Sequence, residues 1–422
     1  MDEVFLKGDA PAGYGEWGIV DGWRRPKPEY WHVKKAYSPI RIDEATQAFP
    51  AAGAPLEIRI GNWFDHTNLS ELAVEWRVGA ERGHVAGLDV PPHQDGRLLV
   101  PPRAWRAGDS LELDFHRADG VLVDRLHLPL GTTPATTFAS SQGPAPRVVE
   151  DAQTLTVVGT RFRLVFSKVT GLITGGWYDG VPVLEGGPTL TLGAAPLAAW
   201  SLDSVSATTA TDEVVVRIAG SHALVLVGLE LRVDGQGLIT TRYAINNPSA
   251  GASELGVAYV LPASVTALSW ERRALWSVYP DDHIGRAAGR APRAGPGTNA
   301  RYRSEPGWAW ALDERDWFLD GPAATGGRGT NDFRSLKANV LWAAAELAGT
   351  AIGLRAESDG SGAVRCAVQA DGRVQLHILN QWAYPDLGWG NISAGIEASG
   401  DRSGEVRVRL IGSNAAPHPR GR

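Results

Sequence analysis

Short runs in which apolar and polar residues alternate recur along most of this chain, and they constrain its fold more than any other feature. In residues 72–78 (LAVEWRV), every second side chain is apolar. The same period recurs in four further runs, at residues 111–115, 162–166, 229–233 and 406–410. A period of two is that of a half-buried β-strand, and Gly- and Pro-containing turns between the runs are typical of antiparallel sheets. The alternation therefore predicts an all-β protein.

Breaks in this pattern indicate how the chain is divided. The first 42 residues contain three closely spaced prolines, and only a short helix, at residues 30–37, is predicted there. Alternation over residues 49–130 gives a segment of the size of one immunoglobulin-like sandwich. A stretch rich in Thr, Ser, Ala, Pro and Gly follows and has the composition of a linker. Strand patterns then continue from residue 148 to about residue 412 without βαβ alternation, which predicts one large antiparallel double sheet.

Residues 335–349 (SLKANVLWAAAELAG) form one ambiguous segment. Their alanine content favours a helix on propensity alone. The strand patterns on both sides of the segment favour a strand instead, and we predict a strand for residues 340–344.

Composition argues against several classes of function. The net charge is −6, with charges of both signs mixed along the chain, which argues against a nucleic-acid partner. No apolar run reaches the length of a membrane span. The single cysteine, Cys366, lies in an apolar run and is expected to be buried rather than nucleophilic. No signal-peptide pattern is visible in the first residues, which favours the cytoplasm.

Four segments of the chain resemble one enzyme family. GEWGIVDGWRRPKPEYWHVKKAYSPIRI (15–42) is similar to the segment that closes the barrel in glycoside hydrolase family 2, the family of the large β-galactosidases. FRLVFSKVTGLITGGWYDGVPVLEGGPTL (162–190), LWSVYPDDHIGR (275–286) and TNDFRSLKANVLWA (330–343) resemble segments of the C-terminal domains of that family. Because the four matches occur in the family's order, the chain resembles the C-terminal portion of a β-galactosidase.

The resemblance implies a domain for each part of the chain. It makes residues 1–42 the end of a (β/α)8 barrel and residues 43–131 an immunoglobulin-like β-sandwich. Residues 132–147 would be a linker, and residues 148–414 a galactose-mutarotase-like supersandwich. Residues 415–422 are expected to be a disordered tail.

Family membership also implies a reaction, the retaining hydrolysis of terminal β-D-galactosides. Retention needs two carboxylates about 5 Å apart, one acting as nucleophile and the other as acid and base. In the family both are glutamates of the barrel, and this chain has no counterpart of either. We therefore expect the isolated chain to be inactive. No cofactor is expected in it, although the resemblance allows a divalent or sodium ion in the barrel.

Aromatic residues are the candidates for sugar binding, since an indole face suits the apolar face of a pyranose and the chain has 16 tryptophans. By resemblance, a tryptophan from a late loop of the supersandwich reaches the sugar, and Trp389 is the candidate. Trp382 and Tyr384 are alternatives. Packing within the loop, or within a sandwich core, is the competing interpretation for each of them.

Asp282 and His283, in the segment YPDDHIGR, are further candidates. We expect this loop to face the barrel mouth. Metal ligation by Asp281, Asp282 and His283 is a weaker interpretation, because adjacent residues without a regularly spaced fourth ligand are a poor metal signal. A turn held by hydrogen bonds from side chain to backbone is the simpler alternative.

Three functions remain open at this point. In the first, the chain is the C-terminal part of a glycoside hydrolase, where it shapes the rim of the active site, binds carbohydrate and supports assembly. Alternatively it is a stand-alone carbohydrate-binding module, or a structural domain for oligomerisation. The expected partners are a β-galactoside, a barrel-bearing upstream polypeptide and a second copy of the chain, with no nucleic acid and no membrane.

Overall fold

The computed structural model describes residues 28–106, 108–131, 143–192, 197–246, 254–280, 285–293, 336–382 and 402–412, with the single residues 19, 252 and 283. Within these ranges the chain consists mostly of β-strands, so the predicted all-β class is confirmed. The described residues fall into two compact units. Those within 1–137 and 274–286 belong to the first unit, and the remainder belong to the second.

The first unit contains a helix, α1 (Pro28–Ala36), which confirms the helix predicted at residues 30–37. Seven described strands follow it: β1 (Ile40–Arg41), β2 (Leu56–Asn62), β3 (Ala73–Val78), β4 (Glu81–His84), β5 (Asp95–Val100), β6 (Ser110–His116) and β7 (Leu122–Pro129). A 3₁₀ turn, Leu69–Glu71, lies between β2 and β3 and is capped by Asn68.

The seven strands form two antiparallel sheets, in the orders β1-β2-β5 and β4-β3-β6-β7. Alternate side chains from both sheets make one core, in which Ile60, Leu98, Leu111 and Phe115 are fully buried. A sandwich of three strands against four is the arrangement of an immunoglobulin-like domain. The predicted small sandwich is therefore confirmed.

The second unit contains seventeen described strands, each hydrogen-bonded to at least one other. They are β8 (Arg147–Glu150), β9 (Thr154–Val158), β10 (Phe162–Ser167), β11 (Ile173–Tyr178), β12 (Val181–Leu184), β13 (Gly186–Thr191), β14 (Trp200–Thr209), β15 (Glu213–His222), β16 (Val225–Asp234), β17 (Leu238–Asn246), β18 (Glu254–Leu261), β19 (Val265–Arg272), β20 (Ala288–Pro292), β21 (Lys337–Leu347), β22 (Gly353–Val368), β23 (Val374–Trp382) and β24 (Arg402–Ile411).

Strand β22 holds the two main sheets of this unit together. Its first half, from Gly353 to Glu357, pairs with β24, which continues through β17, β16 and β15 to β14. Its second half, from Ala363 to Val368, pairs with β23, which continues through β18 to β13. Strand β21 runs along both halves. The pairings are antiparallel throughout, which confirms the large antiparallel sandwich.

The core of this unit consists of apolar side chains at the positions where the sequence predicted alternation. Phe162, Leu164 and Phe166 are buried on β10, and Leu229 and Leu231 are buried on β16. The matching positions 406, 408 and 410 of β24 are buried as well. Cys366 is 1% exposed and is a free thiol, as expected.

The ambiguous alanine-rich segment is a strand, β21, as predicted for residues 340–344. It lies between β19 and β22 and pairs with both. Ala343 and Ala345 are completely buried there. Hydrogen bonds to two neighbouring strands outweigh the weak preference of alanine for helix, since propensity amounts to less than about 1 kcal/mol per residue.

Residues 274–286 lie within the range 148–414 that the resemblance gave to the supersandwich, but they cluster with the first unit. Among the described residues, no helix has both the length and the apolar character needed to cross a bilayer.

Two glycines of the large sandwich provide a test of its packing. A Cβ on Gly256 would lie 2.0 Å from the carbonyl oxygen of Ile378, on the neighbouring strand. We expect Gly256→Ala to lower the free energy of unfolding by about 3 kcal/mol, because backbone atoms of a paired strand cannot move aside cheaply. Denaturant titration of the purified chain measures this change.

Gly228→Ala is the matched control for that experiment. A Cβ on Gly228 would meet no atom within 4 Å. The control should be neutral or stabilising by up to about 1 kcal/mol, because alanine has less conformational entropy to lose. Equal destabilisation by both substitutions would contradict the strand pairing described here.

Candidate functional site

Helix α1 is anchored to the small sandwich by a buried lysine. Lys35 Nζ lies 2.6 Å from Asp124 Oδ1 on β7, and both side chains are less than 10% exposed. Lys35 also donates a hydrogen bond to the backbone carbonyl of Arg125, at 2.5 Å. Ser38 Oγ donates to the second oxygen of the Asp124 carboxylate, at 2.5 Å. A buried ion pair with this many partners fixes the helix in one position.

The same helix contacts the segment 274–286. The ring of His32 lies 5.6 Å from that of Tyr279 and 5.5 Å from that of His283, measured between centroids. Tyr279 and His283 stack on each other at 4.7 Å with an angle of 19° between their planes. Two of the segments quoted for the family resemblance therefore pack together within one unit, through residues that are 247 and 251 positions apart in sequence. We call these three rings the aromatic cluster.

Backbone hydrogen bonds from the same segment reach the small sandwich. The backbone N–H of His127, on β7, donates to Ser277 Oγ at 2.9 Å. The backbone N–H of Ser277 in turn donates to the Glu44 carboxylate at 2.5 Å. The segment 274–286 is thus held at both the helix and the sandwich, which positions its aromatic side chains.

His283 lies in a turn and is 5% exposed. Its backbone N–H donates to the carbonyl of Pro280, and its Nδ1 accepts a hydrogen bond from the backbone N–H of Gly285 at 2.8 Å. This is the turn held by side-chain hydrogen bonds that the sequence offered as the alternative to a metal site. Asp281 and Asp282 lie outside the described residues.

Of the three aromatic candidates in the large sandwich, one is described. Trp382 is half-buried at the end of β23, where it pairs across the sheet with Glu254. Trp389 and Tyr384 lie outside the described residues, so their proposed contact with a sugar stays a prediction. Trp31, on helix α1, is half-buried, with its ring edge-on to Tyr30.

Glu254 belongs to a buried polar cluster that the sequence did not indicate. Arg365 binds its carboxylate through two hydrogen bonds, Nε to Oε1 at 2.6 Å and Nη2 to Oε2 at 2.9 Å. Thr191 Oγ1 donates to the same carboxylate at 3.3 Å, and His377 Nδ1 lies 3.2 Å from the Thr191 hydroxyl. These four side chains come from β22, β18, β13 and β23, and all are at least nine-tenths buried.

The pKa of His377 is lowered to about 3, chiefly by burial. The nearby positive charge of Arg365 also lowers it, and the negative charge of Glu254 raises it by less. The imidazole is therefore neutral at neutral pH, and the Glu254–Arg365 pair is the charged part of the cluster. Its bidentate geometry satisfies the buried carboxylate, which stabilises the junction of four strands.

The outward side of strands β15–β17, β24 and the first half of β22 carries an extended network of charges, here called the arginine face. Its members are linked by ion pairs: Arg217, Arg232, Arg242, Arg355, Arg407 and Arg409 with Glu213, Glu230, Glu357 and Glu405. One row crosses four strands in register, with Arg217 opposite Glu230, Glu230 opposite Arg242 and Arg242 opposite Glu405.

Hydrogen bonds from arginines lower the pKa of two carboxylates of this face, those of Glu357 and Glu405. Burial alone would raise the pKa of Glu357, but hydrogen bonds from Arg409 and Arg355 lower it below its ordinary value. For Glu405, burial likewise raises the pKa and hydrogen bonds from Arg242 and Arg407 outweigh it. A general acid must hold a proton near neutral pH, so neither glutamate fits that role. The arginine face is suited to binding rather than to acid–base catalysis.

A groove with a cavity volume of 900 Å³ runs beside this row. Four small residues in register form its floor, one on each of β15, β16, β17 and β24: Ala219, Gly228, Ala244 and Ser403. Arg217 and Arg242 line one side of it, with their side chains 53% and 56% exposed. Within the described ranges, no three His, Cys, Asp or Glu side chains lie close enough together to hold a metal ion.

The composition of the chain contains a signal for the arginine face. The chain has 35 arginines against 6 lysines. Arginine binds carboxylates through two parallel hydrogen bonds, which lysine cannot do, so networks of shared carboxylates favour it. The row of ion pairs across the strands was not visible in the sequence, because the partners Arg242 and Glu405 are 163 residues apart.

No protein-family model matches the chain, and no curated protein sequence matches it. Solved structures match at low similarity. YidC from Thermotoga maritima is 10% identical with a TM-score of 0.26, over 64% of this chain and 51% of that one. An α-mannosidase from Enterococcus faecalis V583 is 9% identical with a TM-score of 0.38, over 88% of this chain and 43% of that one.

Galactose 1-epimerase from Lactobacillus acidophilus NCFM is 9% identical with a TM-score of 0.31, over 63% of this chain and 98% of that one. This chain spans about half the length of the first two matched proteins. Two of the three are named for sugar chemistry and YidC is not. With TM-scores below 0.5 these likenesses carry no argument about activity, and the description of the fold rests on the strand pairing itself.

The anchoring of helix α1 can be tested by substitution of Lys35. We expect Lys35→Met to lower the free energy of unfolding by about 3 kcal/mol, because it leaves the buried Asp124 without its cationic partner. Thermal unfolding, with protease cleavage within residues 28–36 as a second readout, measures the effect. Lys34→Met is the matched control, since Lys34 Nζ is held by a 3.4 Å hydrogen bond to the Leu122 carbonyl and a 5.5 Å contact with the Trp31 ring rather than by a buried carboxylate. Equal effects of the two would refute the anchoring role.

The buried histidine makes stability depend on pH. Between about pH 6.5 and pH 3 the unfolded chain takes up a proton on His377 that the folded chain does not. Stability is therefore lost as the pH falls through this window, by up to about 1.4 kcal/mol per pH unit. Between pH 6.5 and pH 4, the free energy of unfolding measured by denaturant titration should fall less steeply for His377→Gln than for the wild type. Parallel curves for the two proteins would rule this out.

Proposed function

We propose that this chain is the C-terminal part of a retaining glycoside hydrolase of the β-galactosidase kind. In this proposal it shapes the rim of the active site and binds carbohydrate. A barrel-bearing polypeptide supplies both catalytic glutamates. The coarser part, an all-β sandwich protein, follows from the fold described above.

One observation carries the proposal. The helix of the barrel-exit segment and the segment 274–286 form the aromatic cluster within one unit, with Lys35 and Ser277 holding both against the small sandwich. The two segments were matched to the family separately and from sequence alone. Their contact is what a barrel end resting on its neighbouring domain requires, and it supports the expectation that the YPDDHIGR loop faces a barrel.

The chemistry of the described residues supports a non-catalytic part. On the large sandwich, Glu230, Glu357 and Glu405 are each bound by two or more arginines, and their pKa values are lowered. A retaining pair needs one carboxyl group with a raised pKa beside an ionised one. The alternative of a stand-alone carbohydrate-binding module needs no barrel, and the experiment below separates the two.

The test compares the chain alone with a complex. The chain is co-expressed with the polypeptide encoded directly upstream, and turnover of a chromogenic β-galactoside is measured. We expect no turnover by the chain alone and turnover by the complex. In the complex, Trp389→Ala and Trp382→Ala should lower kcat/KM by about tenfold, the value of one lost aromatic contact. Trp177→Ala is the matched control, because Trp177 is half-buried on β11 under Arg163.

Three results would count against the proposal. Hydrolysis by the purified chain alone would place the missing glutamates within it. Full-strength binding of a β-galactoside by the chain alone, measured by calorimetry, would favour the stand-alone module. An upstream sequence that encodes no barrel would remove the partner on which the proposal depends.

A further inference from the structure

The charged residues that line the groove on the arginine face are two arginines, Arg217 and Arg242, and two glutamates, Glu230 and Glu405, so the formal charges of the lining balance. The wider network described above contains six guanidinium groups and four carboxylates, so the face around the groove has two more positive than negative groups. The chain as a whole has a net charge of −6. A local field opposite in sign to the net charge attracts anions to one place on the surface.

The exposed groups of the groove are the cations rather than the carboxylates. The Arg217 side chain is 53% exposed and that of its partner Glu230 is 24% exposed. Arg242 is 56% exposed and its partner Glu405 is 29% exposed. Each guanidinium has five N–H donors, and the Nε of each of these two arginines engages a glutamate at 2.8–3.0 Å. Ion pairs thus hold both arginines in place, and their exposed side chains line the groove.

The ion pairs of the network indicate that carboxylates are the anions that suit the groove. Each of Glu230, Glu357 and Glu405 is bound by two or more arginines. A planar carboxylate matches the fork of a guanidinium and accepts two parallel hydrogen bonds from it. Ion pairs at the surface contribute little to stability, so an arginine adjusts to an incoming carboxylate at little cost.

The shape of the groove indicates an elongated polar ligand. Its floor of four small residues crosses four strands, a span of about 14 Å at the usual strand spacing. Gly228, in the middle, has open space where a side chain would be. Ser204, Ser206 and Ser403 supply hydroxyl groups along it. Tyr243, an aromatic residue lining the groove, is 2% exposed, so it offers no stacking face of the kind that single-stranded nucleic acids use.

We infer that this groove binds a short oligosaccharide bearing carboxylate groups, an oligouronate. The anionic character follows from the arginines, and the carbohydrate character rests on the proposed function. Arg217 and Arg242 bind the carboxylates, and the small residues of the floor admit the chain of sugar rings. The ligand lies on the second unit, on the outward side of the large sandwich.

The test is calorimetric titration of the purified chain with tetragalacturonate and with a neutral galactose tetrasaccharide of the same length. We expect the acidic ligand to bind at least about tenfold more tightly than the neutral one. Arg217→Gln combined with Arg242→Gln should weaken it at least about tenfold. Arg290→Gln is the matched control and should leave binding unchanged, because Arg290 is also 56% exposed and paired with a glutamate, Glu346, away from the groove.

Gly228→Val tests the groove without changing any charge. A Cβ at this position meets no atom within 4 Å, so the variant should fold with unchanged thermal stability and fill the floor. We expect it to abolish oligouronate binding. Equal binding of the acidic and neutral ligands, no binding by the wild type, or unaltered binding by both groove variants would overturn the inference.

Two other outcomes also decide the question. Equally tight binding of single-stranded RNA would show a general polyanion surface, and a change in oligomeric state caused by Gly228→Val would show an interface between copies. Either result overturns the inference. The titration needs no barrel, so it gives its answer even if the complex shows no galactoside turnover. If turnover occurs and the titration fails, the groove inference falls alone.

Discussion

Most of the second unit depends on the branched hydrogen bonding of strand β22. A strand in a regular sheet has two neighbours, whereas β22 pairs with β21, β23 and β24. It does so by turning between Glu357 and Ala363, where Gly360 adopts a φ of +93°. A residue with a Cβ is strained at that angle, so the turn depends on glycine. The continuous backbone of β22 thereby joins the two main sheets and fixes the position of each sheet's faces.

The placement of charge follows from the same sheets. Core positions alternate with outward positions, and the outward positions of neighbouring strands fall into rows when the register is fixed. Arg217, Glu230, Arg242 and Glu405 become one row although they are spread over four strands. The ionised state of the glutamates is thus a product of register as much as of composition.

The sequence predicted the features that depend on local periodicity. Buried positions such as Leu164, Leu229 and Val408 repeat every second residue, and a half-buried strand requires that repeat. Even the alanine-rich segment was assigned correctly from its strand neighbours. The helix at Pro28–Ala36 was found because prolines bound it.

Features that depend on register between distant strands were out of reach. Neither the pairing of Glu254 with Arg365, 111 residues away, nor the contact of His32 with Tyr279 leaves a pattern in any short window. The candidate sugar-binding residues show the same limit. His283 proved to be a buried turn residue stacked on Tyr279, whereas Trp382 holds a half-buried place at a strand end.

The choice of arginine for every cation of the outward network has a consequence for how its electric field responds to surroundings. A guanidinium does not release its proton in proteins, and the pKa values of Glu230, Glu357 and Glu405 are lowered below the ordinary value. The field is therefore insensitive to ordinary changes in acidity. Dissolved ions screen exposed charges over about 8–10 Å at physiological concentrations, so ionic strength is the variable that adjusts it.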